Sequence, residues 1–306
     1  HTRNHQQHPQ NPTFAMLFHP VIADHVYIGR KVPETVAKDI RCFSTEELLQ
    51  YHPYNDDFGP HKISDVFRFA QILDYELVSY PDSKILYNVP NDCRRAFANA
   101  VFLMGSYLML RLRMDAESVM RTFRWVDSSL VENFRDAGHS SNHFDISLLD
   151  CWNALERALS LEWIGSESQP GIWGGFDVDE YELHDHPLNG GMNVIVPHKI
   201  VAFKSPRYLK GKEYVDEGGH RYFSPSYYVD IFKAMNVTAV VRLGAAQYDA
   251  MEFEYHGIHV HDLDFEEGTV PCERVLFRFR RIMSIEAGVV AVHCRGGLGR
   301  TGTLIA

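Results

Sequence analysis

The 306-residue sequence lacks an excess of positive charge and a long apolar run, and each absence excludes a class of protein. It carries 30 Lys and Arg against 40 Asp and Glu, a formal charge of −10, which argues against a basic protein that grips nucleic acid. Its longest nearly apolar run, 101–110, is about half of the ~20 residues that a membrane-spanning helix needs. We therefore expect neither nucleic-acid binding nor membrane insertion.

Paired cysteines are also missing. The five cysteines are scattered without a CxxC pair, so the sequence predicts neither a disulfide framework nor a zinc knuckle. This usage is typical of a reducing compartment. Seventeen histidines nevertheless leave a metal site open.

The two ends of the sequence look incomplete. Residues 1–12 are polar, rich in His, Gln and Asn, and predict a flexible tail. The sequence has neither an initiator Met nor a secretory signal, so we expect a fragment of a cytosolic or nuclear protein. It stops at Ala306, a few residues into a predicted helix, and the last helices of the second domain are expected to be missing.

Both halves alternate short apolar runs with helical patterns. The run 85–89 precedes a helical pattern at 94–113. In the second half, runs at 237–243, 257–263 and 289–292 accompany a predicted helix from Pro271 to about Ala287, with the proline in its first turn. This alternation predicts an α/β fold with largely parallel sheets. We predict a domain at 13–175, an acidic linker at 176–190 and a second domain at 191–306.

The segment 289–302 carries the chemistry. An apolar run leads to His293 and Cys294, and Arg300 and Thr301 follow after the five residues Arg295, Gly296, Gly297, Leu298 and Gly299. A buried strand would deliver the cysteine to the carboxyl edge of the sheet, where α/β proteins place ligands. The glycines let the loop curl so that its backbone N–H groups, together with the start of the next helix, converge on an anion. Residues 295–300 are therefore predicted to bind phosphate.

Each side chain of this segment suits phosphoryl transfer to sulfur. The same field favours the thiolate of Cys294, a nucleophile that needs neither a metal nor a cofactor. Arg300 can hold two phosphate oxygens at once. Thr301 can donate a hydrogen bond to the sulfur, and His293 is expected to order the loop rather than act as a base. A Walker A loop is excluded because no Gly-Lys-Ser/Thr is present.

Residues His293 to Arg300 resemble the signature of the cysteine-dependent protein tyrosine and dual-specificity phosphatases, and much of 43–306 resembles the cell-division-cycle-14 family. The similar segments are 43–44, 57–60, 134–137, 149–151, 176–182, 195–197, 236–243 and 292–306. This resemblance implies two tandem phosphatase-like domains joined by an acidic linker helix, of which only the second is catalytic. Six residues after Cys93 stands Asn99 instead of arginine, so 92–99 is not expected to bind phosphate.

One position departs from the family pattern. The general acid of the family is an aspartate before a glycine, and the matching residue here is Glu267, followed by Gly268. The resemblance implies that Glu267 protonates the leaving oxygen of the substrate. Asp264 and Glu266 are the other candidates for this role.

The resemblance also implies a substrate class and a location. It implies phosphoserine or phosphothreonine followed by proline, with basic residues nearby, as cyclin-dependent kinases leave them, and phosphotyrosine. The basic residues would meet Glu182 and Asp185 of the linker. Leu298 stands where lipid-directed relatives carry lysine, which favours protein substrates. A role in the cell cycle and mitotic exit, in nucleus and cytoplasm, with nucleolus, centrosome, spindle or cilium as further sites, is implied in the same way.

Two alternatives stay open. A catalytically weak or inactive phosphopeptide-binding protein is suggested by Glu267 and by the end at Ala306. A metal hydrolase is suggested by the His184-Asp185-His186 run and by His259 and His261, because alternate residues of a strand share a face. The second pair lacks the further histidine of a binuclear site, so no metal is predicted.

Overall fold

A computed structural model describes residues 18–33, 40–53, 56–135, 145–165, 167–169, 172–174, 176–218 and 220–306. The predicted tail at 1–12 lies outside these residues. The chain divides into two compact units, His1–Leu161 and Glu162–Ala306. The predicted linker, 176–190, falls within the second unit.

The first unit is built on a sheet with strand order β1-β2-β4-β3, in which β2, β4 and β3 run parallel and β1 pairs antiparallel at the edge. Its described elements, in chain order, are β1 (Phe18–Ile22), β2 (Val26–Arg30), β3 (Ile40–Phe43), α1 (Ile63–Ser79), β4 (Lys84–Val89), α2 (Arg94–Leu112), α3 (Ala116–Thr122), β5 (Phe134–Arg135), β6 (Asp145–Ile146) and α4 (Leu148–Ser160).

Helix α2 is the central helix of the first unit. Its residues 97–110 are all buried, and it packs against α1, α3 and α4. Gly105 makes room for the indole of Trp152, because a Cβ at this position would lie 2.3 Å from Trp152 Cζ2. The indole N–H of Trp152 donates to the carbonyl of Phe102 at 3.2 Å. This close packing explains an apolar helix without a polar face.

The second unit contains a five-stranded sheet with order β10-β11-β16-β14-β15, parallel except for the edge strand β10. Its described elements are β7 (Glu167–Gln169), β8 (Ile172–Trp173), β9 (Phe176–Asp177), α5 (Val178–Asp185), a 3-10 helix (Pro187–Asn189), β10 (Met192–Val196), β11 (Ile200–Phe203), β12 (Tyr214–Glu217), β13 (His220–Phe223), α6 (Pro225–Ala234), β14 (Val237–Arg242), α7 (Met251–Glu254), β15 (His259–Asp262), α8 (Glu273–Ile285), β16 (Val289–His293) and α9 (Gly299–Ile305).

Both faces of this second sheet are covered, as the apolar runs of its central strands require. Val240 and Ala291 belong to the cluster that includes Phe232 of α6. Their neighbours Val241 and Val292 face the opposite cluster, which includes residues of α8. The alternation of side chains along a strand thus places β14 and β16 in the middle of the core.

The predicted architecture of two α/β units with largely parallel sheets flanked by helices is confirmed. The predicted start of the second-half helix was wrong. Cys272 has an extended backbone (φ −70°, ψ 162°) and caps α8, which begins at Glu273, so Pro271 precedes the first turn. Within the described ranges no helix is long and apolar enough to cross a membrane.

Candidate functional site

The cysteine loop, residues 294–300, starts where the central strand of the second sheet ends. All five residues of β16 are buried, and its neighbours β11 and β14 run parallel to it. Cys294 follows at the carboxyl edge and is only 9% exposed. The strand therefore holds the thiol in a fixed position at the edge predicted for a ligand.

The backbone of the loop depends on Gly297. This residue has φ +76°, and a Cβ there would lie 2.3 Å from the carbonyl oxygen of Phe203. Next to it, the N–H of Ser205 donates to the carbonyl of Arg295 at 3.1 Å. The segment after β11 thus packs directly against the loop and supports its curvature. Arg295 and Leu298 are exposed on its outer side, and Gly296, Gly297 and Gly299 complete it.

The loop favours ionisation of Cys294. Burial opposes it, but the hydroxyl of Thr301 and the backbone N–H groups of Thr301, Gly297 and Leu298 outweigh burial and hold the pKa of the thiol below its ordinary value. Thr301 is fully buried, and its hydroxyl has no other hydrogen-bond partner within the described residues, which leaves it available to the sulfur.

Arg300 reaches from α9 toward the acidic segment after β15. Its Nη1 lies 3.6 Å from Asp264 Oδ1 and donates to the carbonyl of Phe265 at 3.3 Å. Its Nη2 lies 3.6 Å from Glu267 Oε2. Both carboxylates are largely exposed, whereas the Arg300 side chain is 14% exposed. The structure therefore brings Glu267 and Asp264 equally close to the guanidinium that follows the cysteine loop.

Gly244 keeps space for this guanidinium. A Cβ at this position would lie 3.1 Å from Arg300 Nη1. Nε of Arg300 is buried and has no hydrogen-bond partner in the described part of the chain. A forked cation with an unused buried donor is suited to receiving an additional acceptor, such as a phosphate oxygen.

His293 is held by two hydrogen bonds on the inner side of the loop. Its Nδ1 lies 2.9 Å from the carbonyl of Cys294, so Nδ1–H donates there and Nε2 accepts from the hydroxyl of Tyr248 at 2.8 Å. Burial lowers the pKa of His293 to about 4. The imidazole is therefore neutral at physiological pH and anchors the backbone of Cys294.

Arg242 and Asp262 extend this anchor and were not identified from the sequence. Arg242 Nε lies 2.7 Å from Asp262 Oδ1, Nη2 lies 3.0 Å from Oδ2, and Nη1 donates to the carbonyl of Tyr248 at 2.9 Å. Arg242 pairs in register with His293 on one side and with Asp262 on the other. The available signal in the sequence was a charged residue near the end of each apolar run, Arg242 in 237–243 and Asp262 in 257–263.

Glu182 and Asp185 lie on α5, which packs against the edge strand β10. The strand order places β10 two strands away from β16, which carries the cysteine loop. Tyr181 of the same helix donates from its hydroxyl to Asn193 Oδ1 at 2.7 Å and attaches α5 to β10. The role of Glu182 and Asp185 in substrate binding stays a prediction.

The histidine pair that suggested a metal has a carboxylate partner. His259 Nδ1 and His261 Nε2 lie 3.0 Å and 3.5 Å from the same oxygen of Glu286. Among the residues that the structure describes, no group of three or more His, Cys, Asp or Glu side chains could hold a metal ion.

The corresponding strand and helix of the first unit have no such loop. Cys93 is exposed and caps α2, which starts at Arg94 directly after it. Asn99 is buried in this helix and donates from Nδ2 to the carbonyl of Phe58 at 2.6 Å. Because α2 begins directly after Cys93, this unit has a helix at the position where the second unit has its glycine loop.

Two family models match the chain. Residues 20–158 match "Dual specificity protein phosphatase, N-terminal half", and residues 225–306 match "Polymorphic toxin system, DSP-PTPase phosphatase". The strand, cysteine loop and helix that contain Cys294 and Arg300 lie within the region that matches the second model, so this region is similar to phosphatase domains of that class.

Curated relatives narrow this class to one family. The human "Dual specificity protein phosphatase CDC14A" is 37% identical over 266 residues, which cover 86% of this chain and 43% of the relative. The human CDC14C is 35% identical, with coverage of 88% and 58%. "Tyrosine-protein phosphatase CDC14" of Saccharomyces cerevisiae is 32% identical, with coverage of 92% and 50%. The chain is homologous to the CDC14 family of dual-specificity phosphatases over most of its length, and it spans about half the length of these relatives.

A solved structure titled "Crystal structure of Tk-PTP in the active form" is similar over 35% of this chain and 63% of its own, with 24% identity and a TM-score of 0.26.

Proposed function

We propose that this chain hydrolyses phosphoserine, phosphothreonine and phosphotyrosine in proteins through a phosphocysteine on Cys294. The observation that carries the proposal is a buried thiol whose pKa is lowered by the N–H groups of its own loop, with the forked cation of Arg300 at the end of that loop. The names of the CDC14 relatives, dual specificity and tyrosine-protein phosphatase, support the same reaction.

The reaction would proceed in two displacements. The thiolate of Cys294 attacks phosphorus, the S–P bond forms and the bond from phosphorus to the leaving oxygen breaks, while Glu267 supplies the proton to that oxygen. Water then attacks phosphorus, the S–P bond breaks and Glu267 takes the proton back. The products are inorganic phosphate and the regenerated thiolate. Arg300 would hold the equatorial oxygens in both steps, and Thr301 would stabilise the departing sulfur.

The finer specificity is part of the proposal. Substrates would carry phosphoserine or phosphothreonine before proline, with basic residues near the acidic α5, and the protein would act in cell-cycle control in nucleus and cytoplasm. The support is the similarity to CDC14 proteins over nearly the whole chain and the exposed, uncharged Leu298 in the loop.

The test compares two phosphopeptides that differ only in the residue after the phosphoserine, which is proline in one and alanine in the other. The wild-type chain is expected to release phosphate from both and to have the higher kcat/KM for the Ser-Pro peptide. Cys294→Ser should abolish release from both, because an alcohol at this position is not ionised. Equal values for the two peptides would contradict the proline preference and leave the phosphatase chemistry intact.

A second readout separates an enzyme from a binding protein. Acid quenching during turnover, followed by mass spectrometry, should trap a phosphate on Cys294. Binding of phosphopeptide without any phosphocysteine or released phosphate would support the alternative of a phosphopeptide-binding protein, in which Glu267 does not replace the aspartate of the family.

A further inference from the structure

Two cations share one tyrosine ring in the second unit. The guanidinium carbon of Arg207 lies 3.5 Å from the ring centroid of Tyr222, and Lys204 Nζ lies 4.3 Å from the same centroid. These distances keep the two positive charges within roughly 8 Å of each other, inside one screening length at physiological salt. The half-buried ring therefore holds two like charges that repel each other.

Among the residues that the structure describes, neither cation has a carboxylate partner within 3.5 Å. Lys204 Nζ donates to the uncharged carbonyl of Arg221 at 3.2 Å. Arg207 Nη1 lies 3.8 Å from Glu217 Oε2, on a side chain that is 73% exposed. Burial and then the neighbouring Arg207 lower the pKa of Lys204. The negative charge of a bound anion would offset both effects on the pKa of Lys204.

Arg221, which precedes Tyr222 in the hairpin of β12 and β13, shows a neutralised arrangement. Its guanidinium carbon lies 4.0 Å from the ring centroid of Tyr214, and it forms two hydrogen bonds of 2.8 Å with the carboxylate of Asp216. A cation stacked on a tyrosine of this hairpin can therefore have a close carboxylate partner, as Arg221 has in Asp216. For Arg207 the nearest described carboxylate oxygen lies at 3.8 Å.

The two cations lie beside the cysteine loop. The N–H of Ser205, between them in the chain, donates to the carbonyl of Arg295 at 3.1 Å. The backbone of Phe203 is so close to Gly297 that a Cβ there would lie 2.3 Å from its oxygen. Tyr208 N–H donates to the carbonyl of Gln247 at 2.9 Å. The segment 204–208 thus follows the edge of the sheet where the proposed phosphate site lies.

We propose that Lys204 and Arg207 form a second anion site, which binds a negatively charged group flanking the phosphorylated residue of a phosphoprotein substrate. The group is an aspartate or glutamate carboxylate, or a second phosphate. Stacking on Tyr222 restricts both side chains before binding, so less conformational entropy is lost on binding. The site rests on the proposed phosphatase function and adds a preference for acidic or doubly phosphorylated segments to it.

The test uses a set of phosphopeptides in which one aspartate replaces alanine at successive positions on either side of the phosphorylated residue. Wild-type protein is expected to have about a fivefold higher kcat/KM for the aspartate peptide at one or two positions. The double variant Lys204→Met/Arg207→Gln should lose this ratio. Arg221→Gln, the matched control, should keep it, and so should the charge-conserving Arg207→Lys. A second phosphoserine in place of the aspartate should give the same dependence on Lys204 and Arg207.

Binding of the same peptides to Cys294→Ser by calorimetry makes the result independent of turnover. If no peptide is hydrolysed, the proposed function fails, and the aspartate-to-alanine ratio of the binding constants still tests the anion site. A ratio below about twofold at every position, or a ratio that persists in the double variant, would overturn the inference. Lys204- and Arg207-dependent binding confined to soluble inositol phosphates would overturn the assignment to phosphoproteins.

Discussion

Two buried cysteines show how neighbours set the behaviour of a side chain. Cys151 and Cys294 are both 9% exposed. Burial, with the nearby Asp150, raises the pKa of Cys151 to about 12. For Cys294 the Thr301 hydroxyl and the loop N–H groups outweigh burial, and the pKa lies below the ordinary value. Identical exposure therefore accompanies a raised thiol pKa in α4 and a lowered thiol pKa in the cysteine loop.

Glu267→Gln tests the general acid. We expect kcat on a phosphoserine peptide to fall about a hundredfold, because a glutamine cannot protonate the leaving oxygen. The decline of kcat at high pH, where a general acid has lost its proton, should disappear. Activity on p-nitrophenyl phosphate should fall much less, since nitrophenolate leaves without a proton. Steady-state kinetics across a pH series measures all three effects.

The matched controls for this variant are its acidic neighbours. Glu266→Gln should leave kcat and its pH profile nearly unchanged, because Glu266 has no described contact with Arg300. Asp264 lies as close to Arg300 as Glu267 does, at 3.6 Å. Loss of the high-pH decline in Asp264→Asn, with a normal profile in Glu267→Gln, would assign the role to Asp264.

At the residue scale the sequence identifies the groups that act locally. The N–H groups that lower the pKa of Cys294 belong to residues within the same short loop and helix start, so their spacing indicates their role. Tyr248 and Asp262 are far from Cys294 in the sequence. Tyr248 contacts His293 and Asp262 contacts Arg242 because β14, β15 and β16 are adjacent in the sheet. Lys204 and Arg207 likewise need the packing of the segment after β11 against Gly297.

At the scale of elements, three parallel strands place polar residues at one level. Asp262 pairs with Arg242, and Arg242 pairs with His293, at the carboxyl ends of β15, β14 and β16. Arg242 is 6% exposed and also reaches the carbonyl of Tyr248. The strand register thus aligns a chain of hydrogen bonds that ends at the backbone of Cys294.

Tyr248→Phe tests this alignment. The change removes the O–H that donates to Nε2 of buried His293 and leaves that acceptor without a partner. We expect the free energy of unfolding at pH 7 to fall by about 1–3 kcal/mol. Urea unfolding measures the loss, with Tyr255→Phe, an exposed tyrosine at the end of α7, as the control expected to show almost none. Equal stability of the two variants would contradict an anchoring role.

Neutral pH is the right condition because His293 itself titrates in acid. Its native pKa of about 4 lies below the 6.5 of an exposed histidine. Between these values the unfolded chain binds a proton that the native chain does not. The contribution of His293 to stability is therefore complete above pH 6.5 and declines as the pH falls toward 4. The comparison at pH 7 isolates the lost hydrogen bond.

Element boundaries follow the sequence only where the pattern is strong. The apolar run 289–292 identifies β16, which extends to His293. Proline is compatible with the first turn of a helix and also with the extended residues before it, so Pro271 alone could not position the start of α8. The strands β10 to β13 escaped prediction because they form two antiparallel hairpins, β10 with β11 and β12 with β13, without a helix between the partners. The residues of β10, β12 and β13 are also mixed in burial, and the fully buried β11 has only four residues.

At the scale of the whole molecule, the net charge of −10 does not describe how positive and negative residues are arranged. The cysteine loop carries Arg295 and Arg300, and Lys204 and Arg207 lie beside it. Glu182 and Asp185 lie on α5, at the β10 edge of the same sheet. One sheet therefore carries cationic groups beside the loop and acidic groups at its edge, which would suit a substrate with charges of both signs around the phosphate.

Charge reversal on α5 tests the acidic part of this arrangement. Glu182→Lys/Asp185→Lys should reduce about fivefold the kcat/KM ratio between a phosphopeptide with downstream lysines and its alanine counterpart. The control Asp230→Lys/Glu254→Lys changes two exposed carboxylates on α6 and α7 and makes the same change in net charge. It should keep the ratio. In the wild type the ratio should also shrink as salt rises and the screening length shortens. An unchanged ratio in the α5 variant, or equal losses in both variants, would show that α5 does not read the basic residues, and that net charge alone accounts for any attraction.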